Sequence, residues 1–457
     1  MMVLLLVLAL FQSVQPARVE KLRSEEAELR KRIMSSPNDA KLHNELGIVE
    51  YYLGKLQQAE ASWKRAIELD SNYGDARANL AYYYFQTGRD ALGEDLLRSA
   101  IQVDPNSFWA NYYSGIFYYR RRQPVRAELY LKRAIELRPQ SIEARLELVK
   151  LYRAEKNFAA AELQLDELLA MAPENPAVRY GRALHYAETG SYRNAIREFE
   201  NVLLLDPKLV SVRYEIALAA AAEKDWLRVV DELTKFHAAD ATPQSHYLLG
   251  YAYRRLGQQE EAVAQYKAAI EQRPEFFEAC LELGSLYLDA GDIESAERQL
   301  RKALELRSSS IEARYLLGYV AELSGKYEFA EECYNQVLKA APERAEAHHG
   351  LGSLELRRGN VDAALSYLKR ALELGANTAD VHYLLGKALF RRGEYELALE
   401  RLNDAVKLDS NRVDVRYQRA QVLKRLKREQ EAEQELKLVE ELNKRFRTGM
   451  STAEGQK

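Results

Sequence analysis

Apolar and small residues recur along the chain with a period of about 34 residues. Tyr-Leu-Leu-Gly begins at Tyr247, Tyr315 and Tyr383, and Leu-Gly-Ser-Leu begins halfway between them, at Leu283 and Leu351. One step of the period is a single residue shorter than the others, and a pattern that regular indicates stacked copies of one structural unit. The small residues that align are Gly47, Ala81, Gly115, Val149, Ala183, Ala217, Gly250, Gly284, Gly318, Gly352, Gly386 and Ala420.

Within each unit, the spacing of apolar positions predicts two antiparallel helices, A and B. A second small residue follows the first by twelve places, as in Ala262 and Ala296, and glycines such as Gly257 lie between the two sets. Prolines such as Pro274 close several units, where a fixed φ and a missing donor end a helix. One helix pair cannot bury its apolar faces alone, so twelve units between about Ala40 and Phe446 are expected to stack.

These residues resemble the tetratricopeptide repeat (TPR) family over about nine tenths of the chain. The resemblance implies an all-α, right-handed superhelical solenoid of about twelve antiparallel helix pairs, with one side of each helix A lining a concave groove. The unit that matches the family pattern most fully has Leu249, Gly250, Tyr253, Gly257, Ala262, Tyr266, Ala269 and Pro274.

The pattern divides the chain into five parts. They are a signal segment at 1–17, an N-terminal capping helix at 18–39, repeats 1 to 6 at 40–242, repeats 7 to 12 at 243–447, and a disordered tail at 448–457. The shorter step of the period falls at repeat 6, which has Val229 in place of the usual Ala and lacks the glycine between its helices. We therefore expect irregular stacking between Phe236 and Gln244 and two separate arms.

The first residues predict export. Met1 to Phe11 is an uncharged apolar run, too short to span a bilayer and about the length of the apolar part of a secretory signal. No Lys or Arg precedes the run, so a misassigned start or a buried first helix stays open as an alternative. The expected location is periplasmic or secreted, and otherwise cytoplasmic.

Composition and charge narrow the function. Charged residues make up 30% of the chain and the net charge is only −3, which gives no nucleic-acid-binding signature. Cys280 and Cys333 fall at core positions of predicted helices. Metal-binding, phosphate-binding and nucleophile motifs are missing from the sequence, and a metal shared by His348 and His349 is disfavoured because adjacent helical residues diverge. We expect no enzyme, no cofactor, no metal and no small-molecule substrate.

The remaining candidate for a functional surface is a stripe of Tyr and Arg residues on helices A. The resemblance places it in the groove, where it includes Tyr82, Tyr112, Tyr180, Arg120 and Arg153. Tyrosine and arginine commonly dominate binding energy, but Tyr at this position is also a family packing habit, so both interpretations stay open. Repeats 7 to 11 are the most regular and supply the peptide-groove candidates Tyr247, Tyr251, Arg254, Arg255, Tyr315, Tyr319, Tyr383, Lys387 and Arg391.

Two functions follow. The first is a non-catalytic, exported scaffold that binds a protein or peptide in its concave groove. The second is a regulatory or substrate-recruiting subunit of an envelope assembly or glycosyltransferase complex, with a membrane-associated complex among its partners. The family's clamp for a terminal carboxylate needs Lys and Asn at defined groove positions, and this chain has Tyr, Leu and His where the Lys should be.

Overall fold

The computed structural model describes the backbone of residues 16–454 and the side chains of residues 18–444. In this part of the chain, 25 helices follow one another and no strand occurs. The predicted all-α class and helix-pair architecture are confirmed. The chain forms two compact units, which we call the N-terminal body, ending at Ala239, and the C-terminal body, beginning at Asp240. That boundary lies within the interval Phe236 to Gln244, while the predicted ranges themselves stay a prediction.

The N-terminal body contains one leading helix and repeats 1 to 6. Helix α1 covers Pro16–Ser35, and its Leu22, Leu29 and Ile33 pack against repeat 1. The predicted signal segment lies outside the described residues, apart from the helical backbone of residues 16 and 17. The pairs are α2 Ala40–Tyr52 and α3 Leu56–Leu69, α4 Gly74–Gln86 and α5 Asp90–Val103, α6 Phe108–Arg120 and α7 Pro124–Leu137, α8 Ile142–Ala154 and α9 Phe158–Met171, α10 Pro176–Glu188 and α11 Tyr192–Leu205, α12 Val212–Ala222 and α13 Trp226–His237.

The C-terminal body contains repeats 7 to 12. Its last helix continues to Glu454, so residues 448–454 are helical and not the disordered tail predicted for 448–457. Extending an existing helix costs far less than starting one, which the sequence analysis did not weigh. The pairs are α14 Pro243–Arg255 and α15 Gln259–Gln272, α16 Phe277–Asp289 and α17 Ile293–Leu306, α18 Ile311–Leu323 and α19 Tyr327–Ala340, α20 Ala345–Arg358 and α21 Val361–Glu373, α22 Ala379–Arg392 and α23 Tyr395–Leu408, α24 Val413–Arg425 and α25 Glu429–Glu454.

Each helix pair closes over a small residue, as the sequence pattern predicts. A Cβ on Gly115 would lie 2.5 Å from Leu131 Cγ, and one on Gly386 would lie 2.6 Å from Leu402 Cγ. Both leucines are fully buried, at 1% and 0% exposure. Glycine therefore lets helix A approach helix B closely enough to bury a large side chain between them.

The turn between the two helices needs a residue with positive φ. Glycine supplies it in most repeats, for example Gly257 at φ +78°. Repeat 6 lacks this glycine, and Lys224 adopts φ 61° at the same position, which costs about 1 kcal/mol for a residue with a side chain. The turn is thus kept where its usual residue is lost.

In several repeats an arginine lies four residues before the aligned small residue of helix A, and these arginines have specific partners. Arg179 Nε donates to the Pro173 carbonyl oxygen at 2.7 Å, and its Nη1 donates to Glu198 at 2.9 Å. Arg416 likewise contacts Ser410 O at 2.7 Å and Glu435 at 3.0 Å. These arginines therefore connect helix A to a loop carbonyl and to helix B of the same repeat.

Candidate functional site

Five aromatic rings form a continuous surface on helices α2, α4 and α6 of the N-terminal body. The ring centroids of Tyr52 and Tyr51 are 5.8 Å apart, those of Tyr51 and Tyr82 are 6.2 Å apart, and Tyr82 stacks on Tyr113 at 4.6 Å. Trp109 extends the series, stacked on Tyr113 at 5.6 Å. We call these five residues the aromatic wall. Rings at these separations are in contact, so side chains from three repeats act as one surface.

The aromatic wall lines one side of a groove of about 1190 Å³ in the N-terminal body, which we call the N-terminal groove. Aliphatic side chains from later repeats line it as well, including Leu146, Val149, Leu184 and Leu209. The groove thus runs past helices A of repeats 1 to 5. Tyr52 and Leu56 leave 49% and 40% of their surface exposed, so large apolar groups face the opening.

Burial raises the pKa values of several tyrosines that line the groove. Burial raises the pKa of Tyr51 to about 12, and it raises the pKa values of Tyr112 and Tyr113 well above their usual range. Burial also raises the pKa of Tyr180, and the neighbouring Glu215 acts in the same direction. Burial raises the pKa of Glu215 as well, although its hydrogen bond with Tyr180 acts in the opposite direction. These buried phenols therefore offer ring faces and hydroxyl groups without negative charge.

Ser141 lines the N-terminal groove together with Tyr112. It follows Tyr112 by 29 residues and is the N-cap of helix α8. Its hydroxyl accepts a hydrogen bond from the Ala144 backbone N–H at 3.2 Å and donates to Glu143 at 3.0 Å. A short, engaged side chain of this kind caps its own helix and covers little of the neighbouring surface.

The corresponding tyrosines of the C-terminal body are covered. Phe276 lies 29 residues after Tyr247, and their ring centroids are 5.2 Å apart. Two further pairs are equivalent, with Arg344 over the ring of Tyr315 at 5.6 Å and Arg412 over the ring of Tyr383 at 5.1 Å. None of the three covering residues caps its own helix through its side chain. The same N-cap position therefore either caps the next helix A or covers the tyrosine before it.

The other candidates of repeats 7 to 11 also have partners within the chain. Arg254 donates to Glu282, to Ser285 at 2.9 Å and to Asp289 at 3.1 Å. Arg391 donates to the Leu356 carbonyl oxygen, and burial near Arg391 and Arg357 lowers the pKa of Lys387. Tyr251 is half-buried and Arg255 exposed, while Tyr319 is 39% exposed. Whether these residues bind a partner stays a prediction.

The structure thus brings together a set that the sequence analysis did not favour. Tyr82, Tyr112, Tyr180, Arg120 and Arg153 belonged to the stripe and all line the N-terminal groove, but repeat regularity directed attention to the C-terminal body.

Four of the five residues of the aromatic wall, Tyr51, Tyr52, Trp109 and Tyr113, were missed by the sequence analysis. The dense aromatic runs of this region could have identified it. Helix α4 has four consecutive aromatic residues, from Tyr82 to Phe85, and more than half of helix α6 is Tyr, Phe or Trp. A helix needs far fewer rings than this for the contacts within its own repeat.

Residues 18–444, whose side chains the structure describes, contain no group of three or more His, Cys, Asp or Glu side chains arranged to hold a metal ion. No helix in this part is long and apolar enough to cross a membrane. Cys280 and Cys333 are buried and free, as expected of core residues.

Comparisons with known families match both bodies. Two models described as tetratricopeptide repeat match residues 44–108, 281–328 and 324–379, and residues 118–185. A model described as TPR repeat matches residues 250–291. A model described as anaphase-promoting complex, cyclosome, subunit 3 matches residues 357–438. No curated protein sequence matches the chain.

Several solved structures are similar to this chain at low sequence identity. The hetero-tetramer Cut9-Hcn1 of the anaphase-promoting complex is 14% identical, with 93% of this chain and 90% of that chain covered and a TM-score of 0.47. A tetratricopeptide repeat protein from Parabacteroides merdae is 17% identical, with 54% and 98% covered and a TM-score of 0.43. YrrB, described as a TPR protein with an unusual peptide-binding site, is 18% identical, with 40% and 96% covered and a TM-score of 0.37.

Proposed function

Since this chain belongs to the tetratricopeptide repeat family, we propose that it is a non-catalytic scaffold that binds a peptide or an extended protein segment in its N-terminal groove. The observation that carries the proposal is the aromatic wall, whose rings belong to three different repeats and line one groove. A repeat scaffold of this kind is generally non-catalytic and suited to protein or peptide binding.

The path of the groove favours an extended occupant. Packed helices lie about 8–10 Å apart, so a groove that passes five helices A extends over several helix spacings. An extended chain advances about 3.3 Å per residue, so about three of its residues correspond to each repeat. Its apolar side chains would lie on ring faces, and its backbone amides would reach the tyrosine hydroxyls and groove residues such as Gln86 and Gln140.

The side chains of the groove support binding better than catalysis. Large rings with few rotamers provide contact area at low entropic cost. The raised pKa values of Tyr112 and Tyr113 make their phenols poor bases at neutral pH. Lys150 Nζ is 3.3 Å from Glu147, and Arg153 is bidentate to Glu188, so these charges are already paired.

Selection of peptides from a random library against the purified full chain tests this function. We expect enriched peptides whose affinity falls at least tenfold, about 1.4 kcal/mol, in the variant Tyr52→Ala. Tyr417→Ala is the matched control, because Tyr417 is 51% exposed and Tyr52 49% exposed, and the two lie in different bodies. No enrichment, or equal effects of the two substitutions, would contradict binding in the N-terminal groove.

Export remains part of the proposal, supported by the apolar run Met1 to Phe11. An exported scaffold could present substrate to an enzyme of an envelope or sugar-transfer complex, which is the narrower form of the function. Sequencing the N-terminus of the purified native protein tests this. We expect a new N-terminus near Ala17, and an intact Met1 would reject export.

A further inference from the structure

The charged residues that line the N-terminal groove are predominantly basic. Four are cationic, Arg120, Arg138, Lys150 and Arg153, and two are anionic, Glu143 and Glu147. Two of the cations have an acidic partner in the chain: Lys150 with Glu147 at 3.3 Å and Arg153 with Glu188 at 2.6 Å. Of the other charged lining residues, Arg120 and Arg138 are cationic and Glu143, which accepts a hydrogen bond from Ser141 Oγ at 3.0 Å, is anionic, so a small positive excess remains.

Arg138 and Arg120 carry this excess charge, at opposite ends of helix α6. The guanidinium of Arg138 lies 4.2 Å from the ring centroid of Phe108, the first residue of that helix, and 5.4 Å from that of Trp109. Arg120 is the last residue of the helix and is exposed, with no acidic partner among the described residues. The thirteen residues of α6 span about 18 Å, so the two arginines place positive charge at both ends of a helix that carries part of the aromatic wall.

We propose that the occupant of the N-terminal groove is an acidic extended segment, in which side-chain carboxylates flank apolar residues. The proposal rests on the proposed function and adds the chemistry of the partner. Apolar side chains would cover the aromatic wall while carboxylates reach Arg120 and Arg138. Complementary charge raises the association rate and disfavours basic competitors, because like charges across an interface are costly. The carboxylates are those of side chains, since the clamp for a terminal carboxylate is missing.

Sequencing the peptides selected above provides the first measurement. We expect Asp and Glu to be enriched over the input library at positions next to apolar residues. The strongest peptide is then synthesised in two forms, one as selected and one with every Asp and Glu replaced by Asn and Gln. Affinities are measured by fluorescence anisotropy at 50 and 500 mM KCl.

Arg120→Gln is expected to weaken the acidic form about three- to fivefold and to leave the amide form unchanged. Arg391→Gln is the control. Arg391 lies five residues after Gly386 in the C-terminal body, as Arg120 lies five residues after Gly115 in the N-terminal body. The affinity of the acidic form is expected to fall at the higher salt concentration.

The outcomes separate the two proposals. Peptides that depend on Tyr52 but show no enrichment in Asp and Glu, or that bind equally well as amides, overturn the acidic partner and leave the groove as the binding site. Peptides that bind independently of Tyr52, or no peptides at all, overturn the proposed function and the acidic partner together. A selected pool rich in Lys and Arg would also reject the acidic partner.

Discussion

The N-terminal and C-terminal bodies use the same helix pair but treat the surface of helix A differently. In the C-terminal body, Phe276, Arg344 and Arg412 each cover the tyrosine of the repeat before them. In the N-terminal body, the equivalent of these residues after Tyr112 is Ser141, which caps helix α8 instead. The residue at this position therefore either contacts the tyrosine of the repeat before it or caps its own helix.

This comparison also explains why one sequence motif recurs in every second repeat. The Tyr-Leu-Leu-Gly motifs at Tyr247, Tyr315 and Tyr383 are the ones followed by a covering residue. The repeats between them have a capping residue at that place, Ser310 and Thr378. Tyrosine and its cover therefore recur together, which indicates that the two side chains pack on each other. Whether these tyrosines also bind a partner stays a prediction.

The largest difference in peptide binding between the two bodies is expected when one core leucine is removed from each. Leu131→Ala is expected to cost about 2–5 kcal/mol, because Leu131 is 1% exposed and fills the space beneath Gly115. Tyr112 packs against the same cluster, so peptide binding should weaken as well. Leu402→Ala removes the equivalent residue beside Tyr383 and should cost a similar amount without affecting binding. Urea unfolding and peptide titration of both variants measure this, and equal losses of binding would contradict the assignment of the groove to one body.

Covering Tyr112 should close the groove. Ser141→Arg places a long side chain where Arg344 and Arg412 cover their tyrosines, and we expect at least a tenfold loss of peptide affinity. Loss of the cap should also cost about 1 kcal/mol of stability. Ser310→Arg is a matched control, because Ser310 also caps through a 3.2 Å bond, from Ala313 N, in the other body. Comparable destabilisation with unchanged binding is expected for it, and unchanged binding in both variants would reject the covering argument.

The features that could be predicted from the sequence are local. The repeat period, the two helices of each repeat and the small residues at their contact depend on spacing within one repeat. Gly115 and Gly386 show this, since each faces a leucine of helix B in its own repeat. The turn of repeat 6 was harder to predict, because Lys224 adopts the left-handed conformation that a residue with a side chain disfavours.

The location of the groove depends on residues in adjacent repeats and could not be inferred in the same way. In the sequence, Ser141 is an ordinary helix cap, and only the structure shows that it lines the same groove as Tyr112. Regularity pointed to repeats 7 to 11, but regular repeats are those whose surface side chains satisfy one another. The unusual aromatic residues Tyr52 and Trp109 were the better signal.

Uncovering a tyrosine in the C-terminal body should change accessibility much more than stability. Arg344→Ser removes the contacts of Arg344 with the Tyr315 ring at 5.6 Å and with Glu312 at 2.6 Å, but supplies a new cap for α20. These contributions are each about 1 kcal/mol or less and oppose one another, so the net change should stay within about 1 kcal/mol. Faster acetylation of Tyr315 by N-acetylimidazole, read by mass spectrometry, tests the prediction. Tyr383 is the internal reference, because Arg412 still covers it, and equal rates for the two tyrosines would contradict the covering role.

The smallest expected effects are changes in stability when one carboxyl group is removed from each body, and they have opposite signs. Burial raises the pKa of Glu215 in the N-terminal body, despite Tyr180 and Arg153 nearby, so ionisation costs stability as the pH rises through that pKa. The hydrogen bond from His349, with Arg412 nearby, lowers the pKa of Asp380, so its stabilisation is present at neutral pH and is lost as the pH falls below about 3.8. At pH 7, Glu215→Gln should therefore stabilise the N-terminal body and Asp380→Asn should destabilise the C-terminal body, each by less than about 1 kcal/mol because both groups retain solvent contact.

Hydrogen exchange at α12 and α22 measures the stability of the two bodies separately. At pH 4.5 the effect at α12 should have diminished while that at α22 persists, and a common sign or a common pH dependence would show that the two carboxyl groups do not differ in environment.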